Sequence, residues 1–446
     1  MPRRRRETET GPEIVNIDLR DAFVDLVARI EQAWKTNESF VEGRPSIHKI
    51  QLTDEHRKFE NKLREDKTIS PWISKTITTD GLPPRTLTLP QIVSNLIGDY
   101  PYYAVELAAD HNSVYMQFEQ TFHTSSVTLR ALAPVYWISP MFDMLSLDEQ
   151  VVFRRVRLWE QNLYAVPNEL PEPLNRLQPS SFFEAQWKQP IRLLTKATKF
   201  AWAPTYGNTA FNHFRFCLRL LGYRFFETPS LYIRSPMGIG LGYQHITQEL
   251  NPFNATQTME YDDTDFSKLK ALWGSTVEIM GKNLTPWLQL GLSKMNTGCG
   301  RREPADVLLD FTIAMESLLQ YENAPEITYR LKSRAAAIMG LGQDERTIPG
   351  LVAFAEDIIK RAYDMRSSIV HGETEKYNEI DQLLKINSRL FDLLRIIGIK
   401  IMCLSGDKRY TLGSLIEGSM KSPLTRRYLD RAVAGSPLVA AVADFF

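Results

Sequence analysis

The chain has 446 residues, more than one ordinary hydrophobic core accommodates, so two or three domains are expected. With 43% hydrophobic and 24% charged residues, and Lys+Arg and Asp+Glu equal at 53 each, it has the composition of a soluble globular protein. That balance excludes a global field drawing it onto nucleic acid, so any basic partner site has to be local.

The opening "MPRRRR" lacks the apolar segment of a secretory signal. Residues 1–12 are expected to be a solvated basic tail, or else a weak anchor for anionic polymers. "DLRDAFVDLVARIEQAW" places Leu19, Phe23, Leu26, Val27, Ile30 and Trp34 at helical spacing, and a charged helix is expected at about Asp54–Glu65. Strands are expected in "RTLTL", in "SVYMQFEQTF" and in "SSVTLRALAPVYWI", where Val127, Leu129, Ala131, Ala133, Val135 and Trp137 alternate with mostly polar neighbours. That alternation predicts antiparallel sheet with one covered face. Helices are expected at Asp148–Leu163 and Thr209–Leu221, the second stopped by Gly222. "SPMGIGLGYQ" is glycine-rich but does not form GxGxxG inside a strand–turn–helix unit, so a bend is favoured over a nucleotide loop.

From about Asp262 the alternation stops and helix periodicity takes over. Helices are expected at roughly 265–280, 284–296, 304–320, 326–339, 348–371 and 376–404, with shorter ones after 410, joined by short loops that favour antiparallel neighbours. The fold expected is α+β overall. An α+β region with antiparallel sheet covers 13–262, an all-α bundle covers 263–432, and a tail follows at 433–446. Cys217, Cys299 and Cys403 are too scattered for a disulfide framework or a zinc site, which points to a reducing, cytoplasmic setting. The longest apolar run, "LLRIIGIKIMCL", is broken by Arg395 and Lys400 and is too short for a membrane span.

Wound as a helix, residues 351–371 put Leu351, Phe354, Ala355, Ile358, Ile359, Ala362, Met365, Ile369 and Val370 on one face, with Arg366 in its middle. An arginine there has to snorkel, pair with an acid or face a cavity, because an unpaired buried guanidinium is very costly. Glu316, set among apolar helix neighbours in "DFTIAMESLL", is the first candidate partner. His371 follows just before Gly372, where the chain can turn away and expose the imidazole. It sits about 140° round the helix from Arg366, so the two converge only if the arginine reaches the helix end or two copies of the helix meet. It is either a cap and surface group or, beside an arginine, a group that moves protons.

"RSSIVH" resembles the R-x4-H motif of the HEPN superfamily, including the polar residue, Ser367, that commonly follows the arginine. "PADVLLDFTIAMESLL", "EITYRLKSRAAAIMG" and "IIKRAYDMRSSIVHGE" resemble, in order, three helices of its Apea-like branch, with Met315 where a smaller residue or leucine is usual. The resemblance covers about 263–432 and nothing before it. It implies a helical bundle that dimerises through its signature helices, here 348–371. Many such proteins are metal-independent ribonucleases of toxin–antitoxin or antiphage systems, and others are inactive binding modules. Carried onto this chain, it implies RNA as substrate, no cofactor and no metal. It also implies a second copy as partner. A regulatory protein or phage-derived trigger is a further expected partner, and residues 13–262, outside the resemblance, are a candidate sensor or regulatory region.

RNA brings its own nucleophile, the 2′-hydroxyl. Cleavage then needs a proton carrier, for which His371 serves, and a positive group for the phosphorane charge, for which Arg366 serves. Ser367 would orient the phosphate or the imidazole, and Glu316 would hold Arg366. Two other expectations stay open: a non-catalytic pocket for RNA or a nucleotide, and a purely structural dimerisation domain.

Overall fold

The structure, a computed structural model, describes residues 16–35, 40–41, 44–45, 53–79, 82–106, 110–123, 126–136, 138–156, 179–190, 192–194, 206–222, 230–234, 243–246, 259–281, 285–301, 303–319, 327–372, 380–404 and 409–440. Along the chain run α1 (Ile17–Lys35), β1 (Phe40–Val41), β2 (Arg44–Pro45), α2 (Asp54–Glu65), β3 (Thr76–Thr79), β4 (Leu82–Thr86), α3 (Leu89–Glu106) and α4 (His111–His123). Next come β5 (Ser126–Val135), β6 (Ile138–Pro140), β7 (Met144–Ser146), β8 (Val151–Arg155), β9 (Ser181–Pro190), β10 (Arg192–Leu194), α5 (Tyr206–Leu220), β11 (Ser230–Arg234), β12 (Tyr243–Ile246) and β13 (Met259–Tyr261). The rest is helical: α6 (Asp263–Gly281), α7 (Pro286–Gly298), α8 (Pro304–Leu319), α9 (Ile327–Met339), α10 (Ile348–Val370), α11 (Ile380–Cys403), α12 (Arg409–Lys421), α13 (Pro423–Ala434) and α14 (Pro437–Ala440). The fold is α+β. Among the described residues no helix is long and apolar enough to cross a membrane.

The chain sorts into two compact units. The first comprises Met1–Pro134, Val156–Ala210 and Ser230–Thr247. In it α1 buries Leu19, Phe23, Leu26, Val27 and Ile30, the stripe its spacing predicts. The ring of Phe23 lies 5.9 Å from that of Phe59 on α2 and 5.4 Å from that of Tyr115 on α4, so three helices share one aromatic core. Strand β11 pairs antiparallel with both β5 and β12, and β3 pairs antiparallel with β4 and β10. Val127 and Leu129 of β5 face inward, but burial becomes continuous from Ala131 to Val135, as both faces are covered there.

Three expected elements differ. "SVYMQFEQTF" is helix α4, because Val114, Tyr115, Phe118, Glu119 and Phe122 form a buried stripe of helical period that outweighs the strand preference of Val, Tyr and Phe. "RTLTL" is strand only as far as Thr86. Thr88 and Gln91 then exchange bonds, the Thr88 N–H donating to Gln91 Oε1 at 3.0 Å and the Gln91 N–H to Thr88 Oγ1 at 3.4 Å. That capping box starts α3. The helix expected at Asp148–Leu163 is instead a tight turn and strand β8. The Asp148 carboxylate accepts from the N–H groups of Gln150 (2.7 Å) and Val151 (2.8 Å), which closes the β7–β8 hairpin. Residues 157–163, the basic tail and most of the glycine-rich stretch lie outside the described residues, as do the Trp34 and Trp137 side chains.

The second unit comprises Val135–Arg155, Phe211–Pro229 and Gln248–Phe446. It holds the helices expected after 262, each within a few residues of its expected span, but it does not begin there. Within it Trp273 Nε1 donates to Asp148 (2.8 Å), Phe142 packs on Phe266 (5.2 Å) and Phe153 on Phe214 (5.1 Å). Earlier segments are thereby built into the helical body. Its helix ends are closed by buried cations: Arg334 Nη1 donates to Leu319 O (2.9 Å), and Lys400 Nζ to Met339 O (2.7 Å) and Leu341 O (2.8 Å). Arg395 Nη1 donates to Leu220 O (3.4 Å). The two charges that break the apolar run of α11 thus satisfy carbonyls that a helix leaves over at its C-terminus.

Candidate functional site

Helix α10 packs against α8, α9 and α11, and this three-sided packing decides which of its residues are covered. Ala355, Ile358, Ile359, Ala362, Met365 and Ser368 are buried, while Val370 is 64% exposed. Ser368 is covered along with the apolar residues and donates to Asp364 O at 3.2 Å. Val370 lies past the last packed turn.

Arg366 lies at the edge of the covered face, where α10 meets α8. Its Nη1 is 3.3 Å from Glu316 Oε1, with 35% of the Arg366 side chain and 24% of the Glu316 side chain exposed. This is the pairing expected from the two sequence positions. Half-buried in this way, the arginine keeps a partner while part of its side chain stays exposed. The same Glu316 oxygen accepts a 2.6 Å bond from the Tyr363 hydroxyl, and the Arg366 guanidinium carbon stands 5.6 Å from the centre of the Tyr363 ring. Burial, reinforced by the bond to Glu316, pushes the Tyr363 phenol above its ordinary value, so it remains a donor throughout the physiological range. Tyr363 is the residue the sequence reading missed. Its signal was its position three residues before Arg366, which puts both on one helix face.

His371 caps α10 and is exposed; its backbone N–H donates to Ser367 O at 3.0 Å. Gly372 follows with φ +71, a conformation that suits glycine and turns the chain off the helix axis. The five-residue spacing separates the imidazole from Arg366 by about 140° of rotation and roughly 7.5 Å of rise. Ser367 is not gathered with Arg366 and Glu316. It lines a groove of about 890 Å³ between α10 and α11, with Arg361, Asp364, Ser368, Gln382 and Lys385. Met315 is fully buried, and so belongs to packing.

No protein-family model, curated protein or solved structure matches the chain. The geometry of the site therefore stands by itself. Cys217, Cys299 and Cys403 are unlinked thiols, and among the described residues no group of three His, Cys, Asp or Glu side chains is placed to hold a metal ion. Elsewhere in the second unit, His213 stacks on Trp273 (4.5 Å between centroids, 18° between planes) and bonds to Thr276, which also contacts Cys217 Sγ at 3.2 Å. His213, Trp273, Thr276 and Cys217 are all buried and hold the core together.

Proposed function

We propose that the helical part of the chain is an Apea-like HEPN domain acting as a metal-independent endoribonuclease, controlled by the N-terminal region in the manner of a toxin or antiphage effector. One observation carries the reading: a half-exposed arginine, held by an acid from α8, five residues before an exposed histidine at a helix end. Arg366 presents a planar fork of donors suited to the oxygens of a phosphorane. His371 takes the proton from the 2′-hydroxyl or returns it to the leaving oxygen. Since the two groups diverge within one helix, a second copy related by a twofold axis along α10 would bring the histidine of one beside the arginine of the other. The separation within one chain also favours a second reading, in which Arg366 anchors RNA or a nucleotide without turnover.

The experiment is RNA cleavage by purified protein in EDTA, with products carrying cyclic-phosphate ends. His371→Ala should lower the rate about 10²–10⁴-fold, with the melting temperature unchanged because the side chain is exposed. Arg366→Lys keeps the charge and removes the fork, and should lose about 10²–10³-fold. Cleavage at the wild-type rate by His371→Ala, or binding without cleavage by wild type, removes the nuclease reading.

A further inference from the structure

We propose that Tyr363 and Glu316 make Arg366 an exchangeable anion receptor, in which the guanidinium leaves the carboxylate for an RNA phosphodiester while the tyrosine hydroxyl keeps the carboxylate satisfied. The inference rests on the reading above in that Arg366 binds phosphate, and it adds how the arginine is released to do so.

Glu316 Oε1 serves two donors at unequal distances, 2.6 Å from Tyr363 and 3.3 Å from Arg366. The shorter bond belongs to the tyrosine, so the ion pair is the looser of the two contacts. With 35% of its side chain exposed, Arg366 stays in contact with solvent while it is paired to the acid. The Tyr363 ring lies under the guanidinium at 5.6 Å, a contact that attracts the cation without fixing the direction of its fork. Arg366 can therefore turn while keeping the ring. Such a turn would ordinarily be opposed, because it strips a half-buried carboxylate of its counter-charge. Here the phenol, a donor at neutral pH whose proton burial holds still more firmly, goes on donating to that oxygen. Glu316 in turn gives the unliganded arginine a partner, and a phosphodiester replaces one anion by another.

The test measures binding separately from cleavage. A fluorescent 2′-O-methyl RNA oligonucleotide, which lacks the nucleophile, is titrated with the full chain and read by anisotropy. Tyr363→Phe keeps the ring and removes only the hydroxyl. Glu316 then has Arg366 as its remaining partner, and binding should weaken about tenfold, the worth of one hydrogen bond to a charged group. Glu316→Gln removes the competing charge and should bind at least as tightly as wild type. The double variant should return to within about twofold of Glu316→Gln, since the hydroxyl has no charge left to satisfy. A purely structural tyrosine would make the double variant as weak as Tyr363→Phe, and that result overturns the proposal. So does Tyr363→Phe binding like wild type, or Glu316→Gln binding more weakly. The two readings fail separately. Wild type that binds without cleaving, with the cycle as described, removes the nuclease and leaves the exchange. Wild type that cleaves in EDTA with an unaltered Tyr363→Phe does the reverse.

Discussion

His213 is almost fully covered, lies flat against Trp273, and bonds to Thr276. Burial depresses its pKa from 6.5 to about 4, against the smaller opposing pull of Asp148. The unfolded chain therefore takes up a proton below about pH 6.5 that the folded chain refuses until about pH 4, so this group's contribution is present above 6.5 and is lost as pH falls to 4. The shift corresponds to roughly 3 kcal/mol. Urea unfolding between pH 7 and pH 4.5 should show stability declining in wild type and declining less in His213→Gln. Parallel curves for the two proteins would remove His213 as the cause. Arg366 was legible as a residue because it alone violates an otherwise clean amphipathic helix. His213 was not, since a histidine inside an apolar helix face looks the same whether it is sealed in or lines a cavity.

At the scale of elements, α7 and α8 approach closely enough that glycine is required at their contact. A Cβ on Gly291 would stand 2.6 Å from Leu318 Cγ, and one on Gly298 2.6 Å from Phe311 Cε1, with both neighbours fully buried. Phe311 cannot simply swing away, because it stacks on Phe391 of α11 at 6.0 Å. Gly298→Ala should therefore cost about 1–3 kcal/mol by overpacking, even though alanine is the better helix former. Gly274 in α6 meets nothing within 4 Å, and Gly274→Ala should gain up to about 1 kcal/mol. Denaturant midpoints that move in the same direction for both variants would contradict this account. The helices after 262 were readable because each carries a long amphipathic repeat. Strand β8 and helix α4 were misread because a short segment rich in Val, Tyr and Phe suits either period, and neighbours decide which face is covered.

For the whole molecule, the unit that carries the candidate site is assembled from three separate stretches of chain. Asp148, Phe142 and Phe153 come from the first, Phe214 and the Leu220 carbonyl from the second, and their partners Trp273, Phe266 and Arg395 from the third. A fragment beginning at residue 263 would expose Trp273 and leave Arg395, which is nearly sealed, without the Leu220 carbonyl. Such a fragment should fail to unfold cooperatively and should be cut quickly by protease, whereas the full chain should show one sharp transition for this unit. A stable, cooperative fragment would restore a domain border at 263. The proposed site also predicts a homodimer through α10. Light scattering that reports a monomer at micromolar concentration would leave His371 and Arg366 without a way to meet.

What the sequence by itself determined is local and periodic. It specified the helices after 262, the inward stripe of α1, the alternation at the start of β5, the stop at Gly222, and an arginine that needed an acid with Glu316 as the acid to choose. These follow from spacing, because a residue's neighbours on its own helix or strand are set by the backbone period alone. The tertiary structure decided what depends on three-sided packing and on chain segments far apart in sequence. It placed Ser368 inside and Ser367 on the groove, used Lys400 and Arg395 to close the ends of other helices, and drew 135–155 and 211–229 into the helical unit. It also set Tyr363 on the same oxygen of Glu316 that Arg366 uses. A helix period shows that two residues share a face, but which atom of a third residue they meet depends on how another helix is laid across them.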